Sequence, residues 1–261
     1  MSQISSHSQT TFPKSDALEV HLLGLVEFEA AQFLQERLVY EISGRADKMG
    51  GLLLCEHPPL VTMGREASRQ QLTVEERELQ ARQIDLKWVN RGGGCVMHLP
   101  GQLAVYPILP LHRLGLGPEE FRLQLEEATL RVCREMKINA HRADNNQVGA
   151  PTTGVFCHSG QLATIGTAIK SWTSFHGLFL NVCPDMELVR WTQMNTIGVR
   201  PTSMTAQQVR PVSMHKVRES MIRHLAGTFG YSRYHVYTGH PLLVRKKKRI
   251  YVDAKHSVQR P

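Results

Sequence analysis

The 261-residue chain is 41% hydrophobic and 21% charged, with 20 Gly and 13 Pro, a globular composition that excludes a fibrous or disordered protein. Its formal charge of +8 is unevenly placed: residues 245–261 hold seven Lys/Arg against Asp253 alone, which is +6 of the total, and leave a near-neutral body. No stretch approaches the roughly 18 consecutive apolar residues of a membrane span, and residues 1–14 are Ser/Thr/Gln-rich without the apolar core of a secretory signal, so a cytoplasmic protein with no membrane role is expected.

In chain order, residues 17–23 read as a strand, and 26–47 as an amphipathic helix with Phe28, Ala31, Leu34, Leu38 and Ile42 on one face. A short apolar strand, 51–55, ends at the stiff turn His57-Pro58-Pro59. Thr73 and Glu76 have the spacing of a capping box opening a short helix to about Arg82. Residues 86–90 are strand-like and run into Arg91-Gly92-Gly93-Gly94. Another strand, 102–109, carries Pro107 and is followed by Pro110, which mark an edge or an exit. Pro118 starts a second amphipathic helix with Phe121, Leu125, Ala128, Val132 and Met136 aligned. Residues 154–157, 161–169 and 173–182 read as consecutive strands, and Ser213 caps a last helix with Val217, Met221, Leu225 and Phe229. This order predicts one α+β domain over 17–240, a mixed or antiparallel sheet with helices on one face, between an unstructured arm (1–16) and a basic tail (241–261).

Five cysteines (Cys55, Cys95, Cys133, Cys157, Cys183) show no CxxC spacing, and the 13 histidines form no HExxH pair, so neither disulfides nor a metal is expected. The tail is either a solvated extension or an electrostatic lure for an acidic partner.

The segment Arg91-Gly92-Gly93-Gly94-Cys95-Val96-Met97-His98-Leu99-Pro100-Gly101-Gln102-Leu103 carries the most information. Glycines after a strand let the backbone take φ > 0 and approach a ligand closely, though a glycine run is more often only a turn. It is neither a dinucleotide fingerprint nor a Walker A loop. It resembles the RGGxxxxHxPGQL signature of the octanoyltransferases of lipoate biosynthesis, relatives of the biotin and lipoate protein ligases. Three more blocks match in order: His57-Pro58-Pro59-Leu60-Val61-Thr62-Met63-Gly64-Arg65 is similar to HPPxxTxGR, residues 160–166 to GxKIAxxG, and residues 175–182 to FHGxALNV.

The resemblance implies a biotin/lipoate ligase-like fold and an acyltransferase that moves octanoyl from acyl carrier protein to a lysine of a lipoyl domain. The lipoyl acceptors would be those of the 2-oxoacid dehydrogenases and the glycine cleavage H protein. Neither organic cofactor nor nucleic acid is implied. Carried over by residue, the substrate pocket would comprise Arg91, Gly92, Gly93, Gly94, Cys95, Val96, Met97 and His98, then Thr164, Ile165 and Gly166, then His176, Gly177 and Leu178. Val96, Met97, Ile165, Leu178 and Leu180 are candidates for an apolar slot, and glycine N–H groups for donors to the thioester oxygen. Plainer readings stand beside these: His57-Pro58-Pro59 as a rigid turn, His176 as a hydrogen-bonded core residue, Asn181 as a partner of sheet backbone, and Arg65 as a solvated turn residue.

The family's Cys/Lys pair is missing: Gln161 stands at the lysine position and Ile197 at the cysteine position, with Thr202-Ser203-Met204 supporting the register. An isoleucine forms no thioester, and an amide does not activate a thiol. Four readings follow: direct attack by the acceptor lysine; a nucleophile moved to Cys95, Cys157 or Cys183; an inactive homologue that binds acyl groups or acyl carrier protein; or an adenylate-forming ligase, against which the loss of the same lysine also counts.

Overall fold

The computed structural model describes residues 16–143, 153–193, 200–208 and 210–243. The expected arm (save Asp16), the Ile197 position and the tail beyond Leu243 lie outside the described residues.

Strand β1 (Ala17–Leu25) leads into helix α1 (Phe28–Ser43), whose Phe28, Ala31, Leu34, Leu38 and Ile42 are buried as the periodicity predicts. Strands β2 (Gly50–Glu56) and β3 (Leu60–Met63) follow, then α2 (Glu76–Ala81), β4 (Asp85–Trp88), β5 (Cys95–His98) and β6 (Gln102–Ile108). One turn of helix, α3 (Leu111–Leu114), precedes the long α4 (Pro118–Glu135). Strands β7 (Ala140–Arg142), β8 (Val155–Cys157), β9 (Gly160–Lys170) and β10 (Thr173–Asn181) come next. The described chain closes with α5 (Met186–Val189), α6 (Met214–Thr228) and β11 (Arg233–Thr238). None of the described helices is long and apolar enough to cross a membrane.

Eight strands form a mixed sheet in the order β11-β1-β2-β6-β10-β9-β8-β7, parallel across β11-β1-β2 and antiparallel beyond; β4-β3-β5 form a second, three-stranded sheet. The α+β class with a mixed sheet agrees with the sequence reading. Helices on one face do not. Leu52, Leu54, Leu103, Val105, Leu178 and Leu180 pack with α4 and α6, whereas Leu53, Cys55, Ala104, Tyr106 and Phe179 pack with α1 on the opposite face. Every residue of β6 and β10 is buried, the signature of strands covered on both sides.

Other expectations change for local reasons. Pro107 lies in a central strand. Its carbonyl faces β10, where it accepts a bond from Ser174 Oγ at 2.7 Å, so its missing N–H points the same way. The β6–β10 ladder covers only Leu178–Asn181, and Ser174 Oγ bridges the break by also accepting from Leu109 N–H at 3.0 Å. Thr73 is no helix cap: α2 is preceded by Glu75 without a side-chain cap, and the Thr73 hydroxyl donates to the Arg190 carbonyl. The capping box forms earlier, between Ser68 and Gln71 around the 3-10 turn Arg69–Gln71. Ser213 precedes α6 but makes no side-chain cap bond. Strand β4 of the small sheet falls on the strand-like 86–90, whereas β3, β5, β7 and β11 fall where the sequence reading has turns or nothing.

Candidate functional site

The three stretches singled out in the sequence converge. In the small sheet β5 pairs antiparallel with β3, Thr62 opposite Val96 and Leu60 opposite His98. The turn before β5 reaches the large sheet through the Gly92 N–H, which donates to the Thr167 carbonyl of β9 at 2.9 Å. In turn β9 pairs with β10, setting Gly166 opposite Gly177 and Ile165 opposite Leu178.

At the junction lies Arg91, a fully buried cation. Its Nη2 donates to the Thr62 carbonyl (3.0 Å) and hydroxyl (2.8 Å), its Nη1 to the Gly92 carbonyl (3.0 Å), and its Nε has no partner. No carboxylate pairs with it among the described residues; the ring of Phe179 lies 6.0 Å from the guanidinium carbon. Burial pulls its pKa down to about 10, and it remains charged at neutral pH. Room for the side chain comes from glycines of two other blocks. A Cβ on Gly64 would sit 2.2 Å from the Gly93 carbonyl and 2.8 Å from Arg91 Nη1, and one on Gly166 would sit 2.6 Å from the Gly92 carbonyl. Any side chain at either position collides with backbone.

Two buried histidines, His98 and His176, lie beside this cation, and a third, His57, packs edge-on against His98. Thr62 Oγ1, having accepted from Arg91, has its own proton for His98 Nε2 at 2.8 Å; that leaves the proton on His98 Nδ1, which has no partner. The His98 ring packs edge-on against Phe179, 4.5 Å between centroids. His57 Nδ1 faces the Val26 carbonyl at 2.8 Å and so carries the proton, while Nε2 accepts from the Tyr106 hydroxyl at 2.7 Å. His57 is thus a buried hub rather than only a rigid turn. His176 is fully buried, adopts φ +55 within β10, and has no partner at either ring nitrogen, which sets aside the reading of a hydrogen-bonded core histidine. Burial lowers the pKa of His57 to about 4 and of His176 to about 3, with Arg91 and Arg65 adding to the latter. Burial also holds His98 well below its ordinary range, with His57, Arg91 and His176 contributing. All three are neutral at pH 7.

The glycine turn is less open than its sequence suggests. Within it only Gly93 takes a positive φ, +78. The Gly93 N–H goes to Glu66 Oε1, the Cys95 N–H to Gln71 Oε1 and the Met97 N–H to Thr192 Oγ1, while the Gly94 carbonyl accepts from Gly64 N–H. The apolar candidates do not share one slot, because neighbours along a strand face opposite sides. Val96 packs with α1, Met97 with Val61 and Val189, and Ile165, Leu178 and Leu180 with the core under α4.

Between Cys95–Met97, Gln102, Gln161, Thr164, Asn181, Val189, Thr192 and Pro201 lies a cavity of about 30 Å³. That holds a water or two, against roughly 300 Å³ or more for a ligand pocket. A groove of about 1630 Å³ between β1, α1 and residues 237–243 shares no residue with these stretches. Gln161 lines the small cavity and donates to the Ala163 carbonyl. Asn181 ties Gln102 (2.9 Å) to the Thr202 carbonyl (3.0 Å), and Arg65 is an exposed partner of Asn90. Burial raises the Cys95 thiol to about 12 and raises that of Cys183, so neither is held as a thiolate; Cys157 faces a different cavity, beside His141 and His158.

Sequence reasoning missed Gln35, Thr62 and Tyr106 as members of this cluster. A signal for Gln35 was present: it falls on the buried stripe of α1 between Leu34 and Leu38, where an amide needs a partner.

A family model described as the lipoyl protein ligase A/B catalytic domain matches residues 28–226. An octanoyltransferase of Maridesulfovibrio salexigens is 33% identical over 198 residues, 75% of this chain and 89% of the relative. An octanoyltransferase of Syntrophotalea carbinolica is 33% identical over 211 residues, 79% and 92% respectively. Among solved structures, the bipartite lipoate protein ligase of Thermoplasma acidophilum superposes with a TM-score of 0.64 at 15% identity, over 87% of this chain and 88% of that one, a likeness of fold.

Proposed function

Because this chain belongs to the lipoyl protein ligase A/B catalytic-domain family, and within it to the octanoyltransferases, we propose that it moves an octanoyl group from the thioester of acyl carrier protein to the lysine of a lipoyl-accepting protein. The acceptors are the lipoyl domains of 2-oxoacid dehydrogenases and the glycine cleavage H protein, and the reaction is cytoplasmic. Relatives named as the enzyme lend no support to the second reading, an inactive binding homologue.

The observation that carries this reading is the buried Arg91 without a carboxylate, beside histidines whose nitrogens lack partners. Such groups are costly in a core and fit a site that awaits an oxygen ligand. When an amine attacks a thioester, the carbonyl oxygen gains negative charge. A fixed guanidinium and neutral imidazole N–H donors match that change in a water-poor place. Arg91, His98 and His176 are the donors in this reading, and Gly166 and Gly177 admit the Gly92 and Val105 carbonyls that close the strands around them. Thr164 and the Cys95–Met97 edge receive the acyl chain as the small cavity opens.

The step itself is direct. The deprotonated lysine amine attacks the carbonyl carbon, a C–N bond forms, the C–S bond breaks, and the carrier's thiol leaves with the proton the amine gives up. The pocket's contribution is alignment, for which about 7 kcal/mol or more is available when two reactants are held well. Neutral Gln161 fits a route with no enzyme thiolate to stabilise.

Purified protein incubated with octanoyl carrier protein and a lipoyl domain should yield octanoylated domain by intact mass, with the enzyme itself unmodified. No product sinks the transfer reading. An acylated peptide holding Cys95, Cys157 or Cys183 sinks the direct route, and product formed only with ATP and free octanoate identifies a ligase.

A further inference from the structure

Gln35 is fully buried on α1, and its Oε1 accepts the backbone N–H of His176, 141 residues away, at 2.7 Å. That bond fixes which way the amide is turned, and it leaves Gln35 Nε2 without a partner. The N–H it captures belongs to a residue at φ +55 in mid-strand, a conformation a non-glycine residue keeps only where its surroundings hold it. Just before it, Ser174 bridges the gap where β10 has parted from β6. Leu34 and Leu38 beside it give the core apolar side chains, whereas Gln35 places there an amide whose oxygen is held by the kink.

We propose that Gln35 is a positioning residue for acyl transfer: by accepting the His176 N–H from the helix packed on β10 it preserves the left-handed kink and the placement of the imidazole, whose two ring nitrogens stay unpaired for the acyl donor. This rests on the transfer reading above. Gln35 acts through His176 and does not itself touch substrate.

Steady-state transfer with octanoyl carrier protein and a lipoyl domain tests it. Gln35→Met keeps bulk and removes the acceptor; kcat should fall about 30-fold, with KM for the carrier changed less than about twofold. In a His176→Ala background the same substitution should change kcat less than about twofold, since the route through the imidazole is already gone. Wild-type protein that transfers nothing sinks the transfer reading before any variant is made. A folded Gln35→Met enzyme with wild-type kcat overturns the role of Gln35 and leaves transfer standing. An equal fall in both backgrounds also overturns it, because it shows a structural role only. Should Gln35→Met not fold, Gln35→Glu keeps an acceptor oxygen in place and should retain at least about one-third of kcat; a folded Gln35→Glu enzyme as slow as His176→Ala overturns the proposal.

Discussion

At the scale of single residues, the site holds polar groups in their neutral or isolated forms at the protein's expense, and pH exposes that. His57 and His176 titrate near 6.5 when exposed, but near about 4 and about 3 in the fold. Between those values the unfolded chain binds the extra protons. Their contribution to stability is therefore complete above about pH 6.5 and declines as pH falls, by up to about 1.4 kcal/mol per pH unit for each histidine. Urea unfolding between about pH 6 and pH 5 should show this slope, and His57→Gln should remove close to one proton from it. A slope untouched by the substitution would mean that the titrating group lies elsewhere. Arg91 and His98 were legible as site candidates from the matched glycine block. Thr62 stood in a matched block without being read as a site residue, and Tyr106 stood in none, since a hydroxyl that completes a buried chain of bonds leaves no periodicity to read.

Among the elements, long amphipathic helices and the β9–β10 hairpin were legible because many residues vote on each. The four-residue strands β3 and β5 were not: too short for a period, they stand as strands only through their pairing in the small sheet, β3 with both β4 and β5. Pro107 misled for a related reason, since its tolerance depends on a ladder break made by a distant strand. Glycines separate the two kinds of information well. Gly166→Ala places a methyl against the Gly92 carbonyl and Arg91, and should cost about 1–3 kcal/mol of stability and at least tenfold in transfer. Gly227→Ala, on α6 with nothing within 4 Å of the added Cβ, should instead stabilise by about 0.5 kcal/mol and leave transfer unchanged. Thermal unfolding and initial rates on both variants decide this, and a well-behaved, active Gly166→Ala enzyme would count against a crowded junction.

For the whole molecule, charge and fold are nearly separate matters. Residues 244–261 hold +6 of the net +8, so the catalytic unit proposed for 17–240 is close to neutral. Removing 244–261 should leave kcat unchanged and raise KM for an acidic carrier several-fold at low salt, with the difference fading above about 0.3 M. A fall in kcat would show that the tail enters the chemistry. What grips Arg91 lies outside positions 161 and 197, where the family resemblance implies a lysine and a cysteine: oxygens of Thr62 and Gly92, and the space left by Gly64 and Gly166. On the transfer reading, the cradle of the carbonyl oxygen and the positions of a covalent pair are thus encoded by different parts of the chain, so a nucleophile could be added or removed by one or two substitutions without rebuilding the cradle.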